Sequence, residues 1–360
     1  MPPIQVLIVD DSVVVRRLLC EALASTPEIK IVGTASNGAI ALARIPQLNP
    51  DIITLDIEMP GLDGIQTLLQ IRKLYPKLPV IMCSTLTERG AMTTLEALAA
   101  GASDYVTKPS NSSSLANAMD QLRRELVSKI TSLAGRRRSS LAALPAISDR
   151  AASVNHAVDI LAIGTSTGGP NALGDVIPQL PQDLPVPIVV VQHMPPLFTR
   201  MLADRLNALS RLSVREAEAG KSLEPGQVWI ARGDYHMTVV RKGLQTVLEL
   251  NQDSPENCCR PAVDVLFRSL AQTYGANVLA VVMTGMGSDG ARGAAYIREA
   301  GGEVLVQDEA SSVVWGMPGA VVDAQCANKI CPLPEISREI VRRILAGRTQ
   351  APLGARTPRV

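Results

Sequence analysis

Two groups of residues in this chain have the types and spacing for chemistry. The first centres on Ser166, in Gly164-Thr165-Ser166-Thr167-Gly168-Gly169-Pro170, just after the largely apolar run Val158–Ile163. A buried strand that turns sharply through glycines into a helix leaves a serine hydroxyl exposed. The N–H groups at the helix start can face a developing oxyanion. The same pattern suits a serine that merely caps a helix, so its partners must decide. A serine nucleophile needs a base that takes its proton near neutral pH, which is the range of histidine. Three histidines exist, His156, His193 and His236. His193 follows the apolar run Val186–Val191, as Ser166 follows its own run. His236 falls in a hairpin pattern and reads as packing or surface, and His156 in an unpatterned stretch. Asp289, in Thr284-Gly285-Met286-Gly287-Ser288-Asp289-Gly290 after the strand Asn277–Met283, is placed to orient an imidazole. The second group is Asp10, Asp11 and Asp56, with Ser84 and Lys108. Carboxylates crowded together repel unless a cation joins them, and oxygen ligands with open positions suit Mg²⁺. Asp56 is then a candidate nucleophile for a phosphoryl group, with Lys108 as counter-charge and Ser84 as a hydrogen-bond donor.

The elements that must position these residues alternate. Strand patterns at Ile4–Val9, Ile29–Thr34, Ile52–Leu55, Pro79–Cys83 and Asp104–Val106 are separated by helical patterns, and a last helix is expected over Ser112–Lys129. Such alternation predicts an open parallel sheet with helices on both faces, whose ligands bind at the carboxyl ends of the strands. Asp10, Asp11, Asp56, Ser84 and Lys108 all fall at those ends. The alternation resumes at Val158. Between 212 and 250 the period shortens, and Val228–Ala231, Met237–Arg241 and Gln245–Leu250 read as β-hairpin material with a turn at Lys242-Gly243. The expected fold class is α/β, with two doubly wound parallel-sheet domains. The first, flavodoxin-like, spans 1–125; a linker spans 126–154. The second, Rossmann-like and three-layered with a hairpin insertion, spans 155–346, and a disordered tail spans 347–360.

Composition narrows the function. Hydrophobic residues make up 46% but aromatics only 2%, so the cores are aliphatic, as buried parallel strands require. The scarcity of aromatics argues against single-stranded nucleic-acid binding, which relies on stacking. A net charge of +1 gives no bias toward a polyanionic partner. Arg136-Arg137-Arg138 in the linker reads as solvated charge. The six cysteines form no C-x-x-C pair, which removes the zinc-ribbon and thioredoxin readings. No signal peptide or membrane-length apolar run is seen, so a cytoplasmic protein without direct membrane insertion is expected. Gly285-x-Gly287-x-x-Gly290 formally matches a dinucleotide fingerprint, yet Asp289 would set a carboxylate where the pyrophosphate must sit.

Two resemblances follow from the quoted motifs. Asp10-Asp11, Leu55-Asp56-Ile57-Glu58-Met59-Pro60-Gly61-Leu62-Asp63-Gly64 and Tyr105-Val106-Thr107-Lys108-Pro109 resemble a two-component response-regulator receiver domain. That resemblance implies phosphorylation of Asp56 by a histidine kinase and Mg²⁺ on Asp10, Asp11 and Asp56. It also implies switch roles for Ser84, Lys108 and Tyr105. The chain order Ser…His…Asp matches neither the α/β-hydrolase, the chymotrypsin nor the subtilisin order. Together with Gln192-His193-Met194 and the two glycine-rich turns, it resembles the catalytic domain of the chemotaxis protein-glutamate methylesterases, the CheB family. This implies Ser166 as nucleophile, His193 as base and Asp289 as orienter. It further implies support from Thr165, an oxyanion donor at the Met286 N–H, and no cofactor for hydrolysis. The implied substrates are methyl-esterified glutamates, and certain glutamines, on cytoplasmic helices of methyl-accepting chemoreceptors. A signalling protein with a degenerate hydrolase domain is the rival, and the presence of all three residues weighs against it.

Overall fold

The computed structural model describes residues 2–108, 115–135 and 157–349. Two compact units divide the chain, Met1–Leu144 and Pro145–Val360. In the first, β1 (Ile4–Val9), β2 (Ile29–Ala35), β3 (Ile52–Asp56), β4 (Val80–Ser84) and β5 (Asp104–Thr107) form one parallel sheet in the order β2-β1-β3-β4-β5. The inner strands β3 and β4 are largely apolar and wholly buried, as a sheet covered on both faces demands. Helices α1 (Val13–Ala24), α2 (Gly38–Leu48), α3 (Gly64–Leu74) and α4 (Glu88–Ala99) each begin on a side-chain cap. Ser12, Asn37, Asp63 and Thr87 accept the N–H three residues on, which satisfies a helix-end donor and defines the loop entering each helix.

Helix α5 (Leu115–Gly135) runs ten residues past 125, where the linker was expected to begin. The reason is in the spacing. Leu122, Leu126, Ile130 and Leu133 recur every three or four residues and are buried, so one apolar face continues to the end of the helix. Residues 136–154 of the expected linker, its arginines, His156, and residues 350–360 of the expected tail lie outside the described residues.

In the second unit a seven-stranded sheet has the order β14-β13-β12-β6-β7-β9-β8, parallel throughout. Its strands are β6 (Ile160–Thr165), β7 (Ile188–Gln192), β8 (Ser213–Glu216), β9 (Gln227–Ile230), β12 (Val278–Val282), β13 (Glu303–Gln307) and β14 (Lys329–Cys331). Its helices are α6 (Gly169–Val176), α7 (Pro196–Leu209), α8 (Val263–Tyr274), α9 (Ala291–Glu299), α10 (Gly316–Asp323) and α11 (Leu333–Thr349). The hairpin is smaller than expected. Among the described residues its two paired strands are β10 (His236–Lys242) and β11 (Gln245–Asn251), which run antiparallel. Val228–Ile230 instead joins the main sheet beside β7 because Val228, Trp229 and Ile230 are all buried. The edge strands β8 and β14 were not anticipated; each is four residues or fewer, too short for a periodic signal.

The hairpin steadies α8. Met237, Val239 and Leu248 share a core with Leu266, Phe267 and Leu270. Val239 N–H donates to Ser269 Oγ at 3.1 Å, and Thr273 Oγ1 donates to Val239 O at 2.8 Å.

Candidate active site

Ser166 lies at the carboxyl end of β6, between β7 and β12. The register Thr165↔Gln192 sets Ser166 and His193 at adjacent strand ends, and His193 N–H donates to Thr165 O at 3.3 Å. On the other side Ser166 N–H donates to Thr284 O at 3.0 Å. Gly168 makes the bend into α6 at φ +78°, a region costly for any residue with a Cβ. Gly285 permits a close approach: a Cβ there would lie 3.0 Å from that of Ser166 and 2.3 Å from Met317 Sδ. The buried Thr165 hydroxyl donates to Gln192 Oε1 at 2.7 Å, and Gln192 Nε2 donates to Ser166 O at 3.0 Å. Thr165 thus supports the turn through Gln192. Met286 stands half-buried in the turn after β12.

His193 and Asp289 are joined. Nε2 of the ring lies 2.8 Å from Asp289 Oδ2. That carboxylate sits at the start of α8, where Val263 N–H (2.6 Å) and Asp264 N–H (3.0 Å) donate to it. Gly290 N–H (3.0 Å) and Asn257 Nδ2 (2.8 Å) complete its shell. A carboxylate with so many donors, placed at the positive end of a helix, stays ionised. Burial alone would raise its pKa, but the bonds from His193 and the backbone outweigh it and hold it below the usual carboxylate range. An ionised carboxylate can only accept, so Nε2 carries the proton. Burial also penalises the imidazolium, yet the hydrogen bonds to Asp289 and Cys259 and the charge of Asp289 outweigh it and raise the ring's pKa above the ordinary imidazole value.

The Ser166 hydroxyl and the imidazole share no hydrogen bond in this structure; Ser166 is held through its backbone. Nδ1 of His193 instead meets Cys259 Sγ at 3.5 Å. Bonds of this kind are often formed only with substrate in place. The orientation reverses the commoner serine-hydrolase arrangement, in which Nδ1 faces the carboxylate.

Three neighbours escaped the sequence reading. Asn257 links Asp289 Oδ1 to Asp264 Oδ2. Asp264, wholly buried, accepts Gly290 N–H at 2.9 Å and Gly293 N–H at 2.6 Å. Cys259 touches the ring. The available signal was Pro261 ahead of an acidic first turn, a helix-start pattern. These bonds also dispose of the dinucleotide fingerprint, because carboxylates consume the N–H groups at the start of α9 that a pyrophosphate would need. His236 is structural: it is buried, Nδ1 accepts Ala262 N–H at 3.2 Å, and Nε2 faces Ser254 O at 3.2 Å.

In the first unit the expected residues do converge. Asp10, Asp11 and Asp56 offer oxygens within 4.8 Å of one another. Lys108 Nζ lies 2.7 Å from Asp56 Oδ1 and 2.9 Å from Asp10 Oδ2. The buried Asp10 Oδ2 receives no hydrogen bond of good geometry despite that ion pair. An under-bonded buried oxygen beside two other carboxylates fits a hard cation with oxygen ligands. Burial, opposed by Lys108 and reinforced by Asp10, pushes Asp56 up to about 6. Ser84 Oγ, wholly buried, faces α4 at 3.1 Å from Gly90 O and 2.7 Å from Thr94 Oγ1. Tyr105 is buried with Lys129 Nζ 5.0 Å from its ring centroid.

No helix among the described residues is long and apolar enough to cross a membrane. Residues 161–340 match the family model described as CheB methylesterase, and residues 6–120 match the response regulator receiver domain. Two curated relatives are named protein-glutamate methylesterase/protein-glutamine glutaminase. One, from Trichodesmium erythraeum, is 50% identical over 351 residues, covering 96% of this chain and 100% of that protein. The other, from Nocardioides sp., is 51% identical over 367 residues, covering 99% and 100%. The crystal structure of the Thermotoga maritima CheB methylesterase catalytic domain is similar at a TM-score of 0.51 and 41% identity, covering 52% of this chain and 98% of that one.

Proposed function

This chain belongs to the CheB methylesterase family and carries a response regulator receiver domain, and from that premise we propose a phosphorylation-activated hydrolase of methylated chemoreceptor glutamates. Its catalytic unit lies within 155–346 and its receiver within 1–125, extended by α5. Ser166 Oγ attacks the side-chain ester carbonyl of a methyl-glutamate on a cytoplasmic receptor helix. His193 takes the serine proton at Nδ1, while Asp289 fixes the ring and stabilises its charged form. The Met286 N–H faces the oxyanion. Collapse of the tetrahedral species breaks the C–OCH₃ bond, and His193 returns the proton to the departing methanol. Water then attacks the acyl-enzyme with His193 again as base, which restores the glutamate. A receptor glutamine follows the same course with ammonia as leaving group.

In the receiver, Asp56 takes the phosphoryl group from a histidine kinase of the chemotaxis system. Asp10, Asp11 and Asp56 would hold Mg²⁺, which offsets their mutual repulsion and the charge on the phosphoryl oxygens. Lys108 pairs with the added charge. Ser84 must leave Gly90 and Thr94 to reach a phosphoryl oxygen, and that exchange, with Tyr105, carries the signal.

The observation that carries the hydrolase reading is the His193–Asp289 pair at the strand end next to Ser166. Methanol release from methylated receptor tests it. Ser166→Ala should lower turnover by roughly four to six orders of magnitude; near-parental release overturns the reading.

A further inference from the structure

With Nε2–H donated to Asp289, Nδ1 is the nitrogen left to take a proton from Ser166. The group in contact with Nδ1 is Cys259 Sγ at 3.5 Å. The position of that sulfur is built. Residues 256–259 form a tight turn closed by Cys259 N–H donating to Glu256 O at 2.8 Å. Asn257 and Cys258 both adopt left-handed backbone, at φ 51° and 62°, a conformation disfavoured for residues with a Cβ. The Asn257 amide is clamped between Asp289 and Asp264. The carboxylate on one side of the ring therefore helps fix the turn that carries the sulfur on the other side.

Resting on the Ser-His-Asp reading above, we infer that Cys259 is a positioning residue for the base, holding His193 by Nδ1 until the Ser166 hydroxyl replaces the sulfur. Thiols are weak hydrogen-bond partners, so the exchange costs little when substrate arrives. The device holds the ring between Asp289 and the sulfur and leaves Nδ1 covered in the resting site. Asp289 and Cys259 are the titratable groups that touch the ring among the described residues. Asp289 favours the protonated ring by its charge, and Cys259 does so by accepting Nδ1–H of that form at Sγ. Because the neutral ring is the active base, loss of the sulfur makes that form available at lower pH.

The test compares full-length parent, Cys259→Ala, Cys259→Ser and Ser166→Ala by two readouts. The first is imidazole nitrogen NMR, tractable because the chain has only three histidines; His193→Gln assigns the signal. The second is the pH dependence of kcat/KM for methanol release. We expect Cys259→Ala to shift the His193 Nδ1 resonance and to move both its titration and the acid limb of kcat/KM down by about one pH unit. Cys259→Ser, which keeps a hydrogen-bonding atom, should move them less and retain more of kcat. If Cys259→Ala does not fold, the serine variant carries the test, with a smaller downward shift expected. Unchanged Nδ1 resonance and acid limb in a folded variant overturn the inference. Near-parental hydrolysis by Ser166→Ala overturns the serine reading instead, and the resonance then still reports whether the sulfur holds the ring.

Discussion

Asp56 and Asp289 occupy equivalent places in two parallel sheets, and their surroundings are opposite. Each is a buried carboxylate at the carboxyl-end side of its sheet: Asp56 closes β3, and Asp289 lies in the turn between β12 and α9. Asp289 has five donors, three of them backbone N–H groups, two of those at the start of α8. Asp56 has one close cation, Lys108, and two further carboxylates within 4.8 Å. Burial pushes both pKa values up. At Asp289 the donors win and the pKa falls; at Asp56 they do not, and it rises to about 6. The contrast shows how one architecture serves two chemistries. A carboxylate saturated with donors is a fixed counter-charge that cannot attack anything. One left short of donors beside other negative charge is poised to take a cation and a phosphoryl group.

Between the two carboxylates, the larger effect is expected from Asp289→Asn. It keeps the shape of the side chain and removes its charge, so the ring loses its tautomer control. We expect kcat for methanol release to drop about 10⁴-fold, by analogy with the same change in a serine protease. A loss below tenfold would mean that the donor shell around Asp289 serves only the fold. Asp56→Asn should behave otherwise. Basal hydrolysis should stay within about twofold of the parent, while stimulation by a small-molecule phosphodonor with Mg²⁺ is lost. Stimulation that survives in this variant would detach Asp56 from control.

The smallest effect is on stability. Asp56 has a folded pKa above its unfolded value, so at neutral pH its ionised form costs the folded receiver free energy, a cost that fades as pH falls. Asp56→Asn should therefore stabilise the receiver by about 1–2 kcal/mol at pH 7, allowing for water at the rim of the site. The gain should vanish as pH falls from about 6 toward 4. Hydrogen exchange of receiver amides across that range checks it; destabilisation at pH 7 would mean that the Lys108 pair outweighs the repulsion.

Both strand-end constellations were legible in the sequence, because buried parallel strands read as apolar runs and the polar residue after each run marks a ligand-facing end. That is how Asp10, Asp56, Ser84 and Lys108, and likewise Ser166, His193 and Asp289, could be picked out without coordinates. Cys259, Asn257 and Asp264 were not legible. They belong to the loop before α8 and the first turn of that helix, and their roles come from hydrogen bonds to residues 25 to 66 positions away. The strands β8 and β14 were missed because they are short edges. Val228–Ile230 was misplaced because an apolar run beside hairpin patterns does not reveal which sheet it joins. Which imidazole nitrogen faces the carboxylate has no signature in the sequence at all.

Ser166 is the group that His193 and Asp289 are placed to activate. Reaction with a serine-directed phosphonate, followed by mass spectrometry of the modified peptide, reads this directly. We expect one phosphonyl group on Ser166 in the parent and labelling slowed at least about 10³-fold in Asp289→Asn. A label carried elsewhere, or labelling of Ser166 at an unchanged rate in Asp289→Asn, would contradict it.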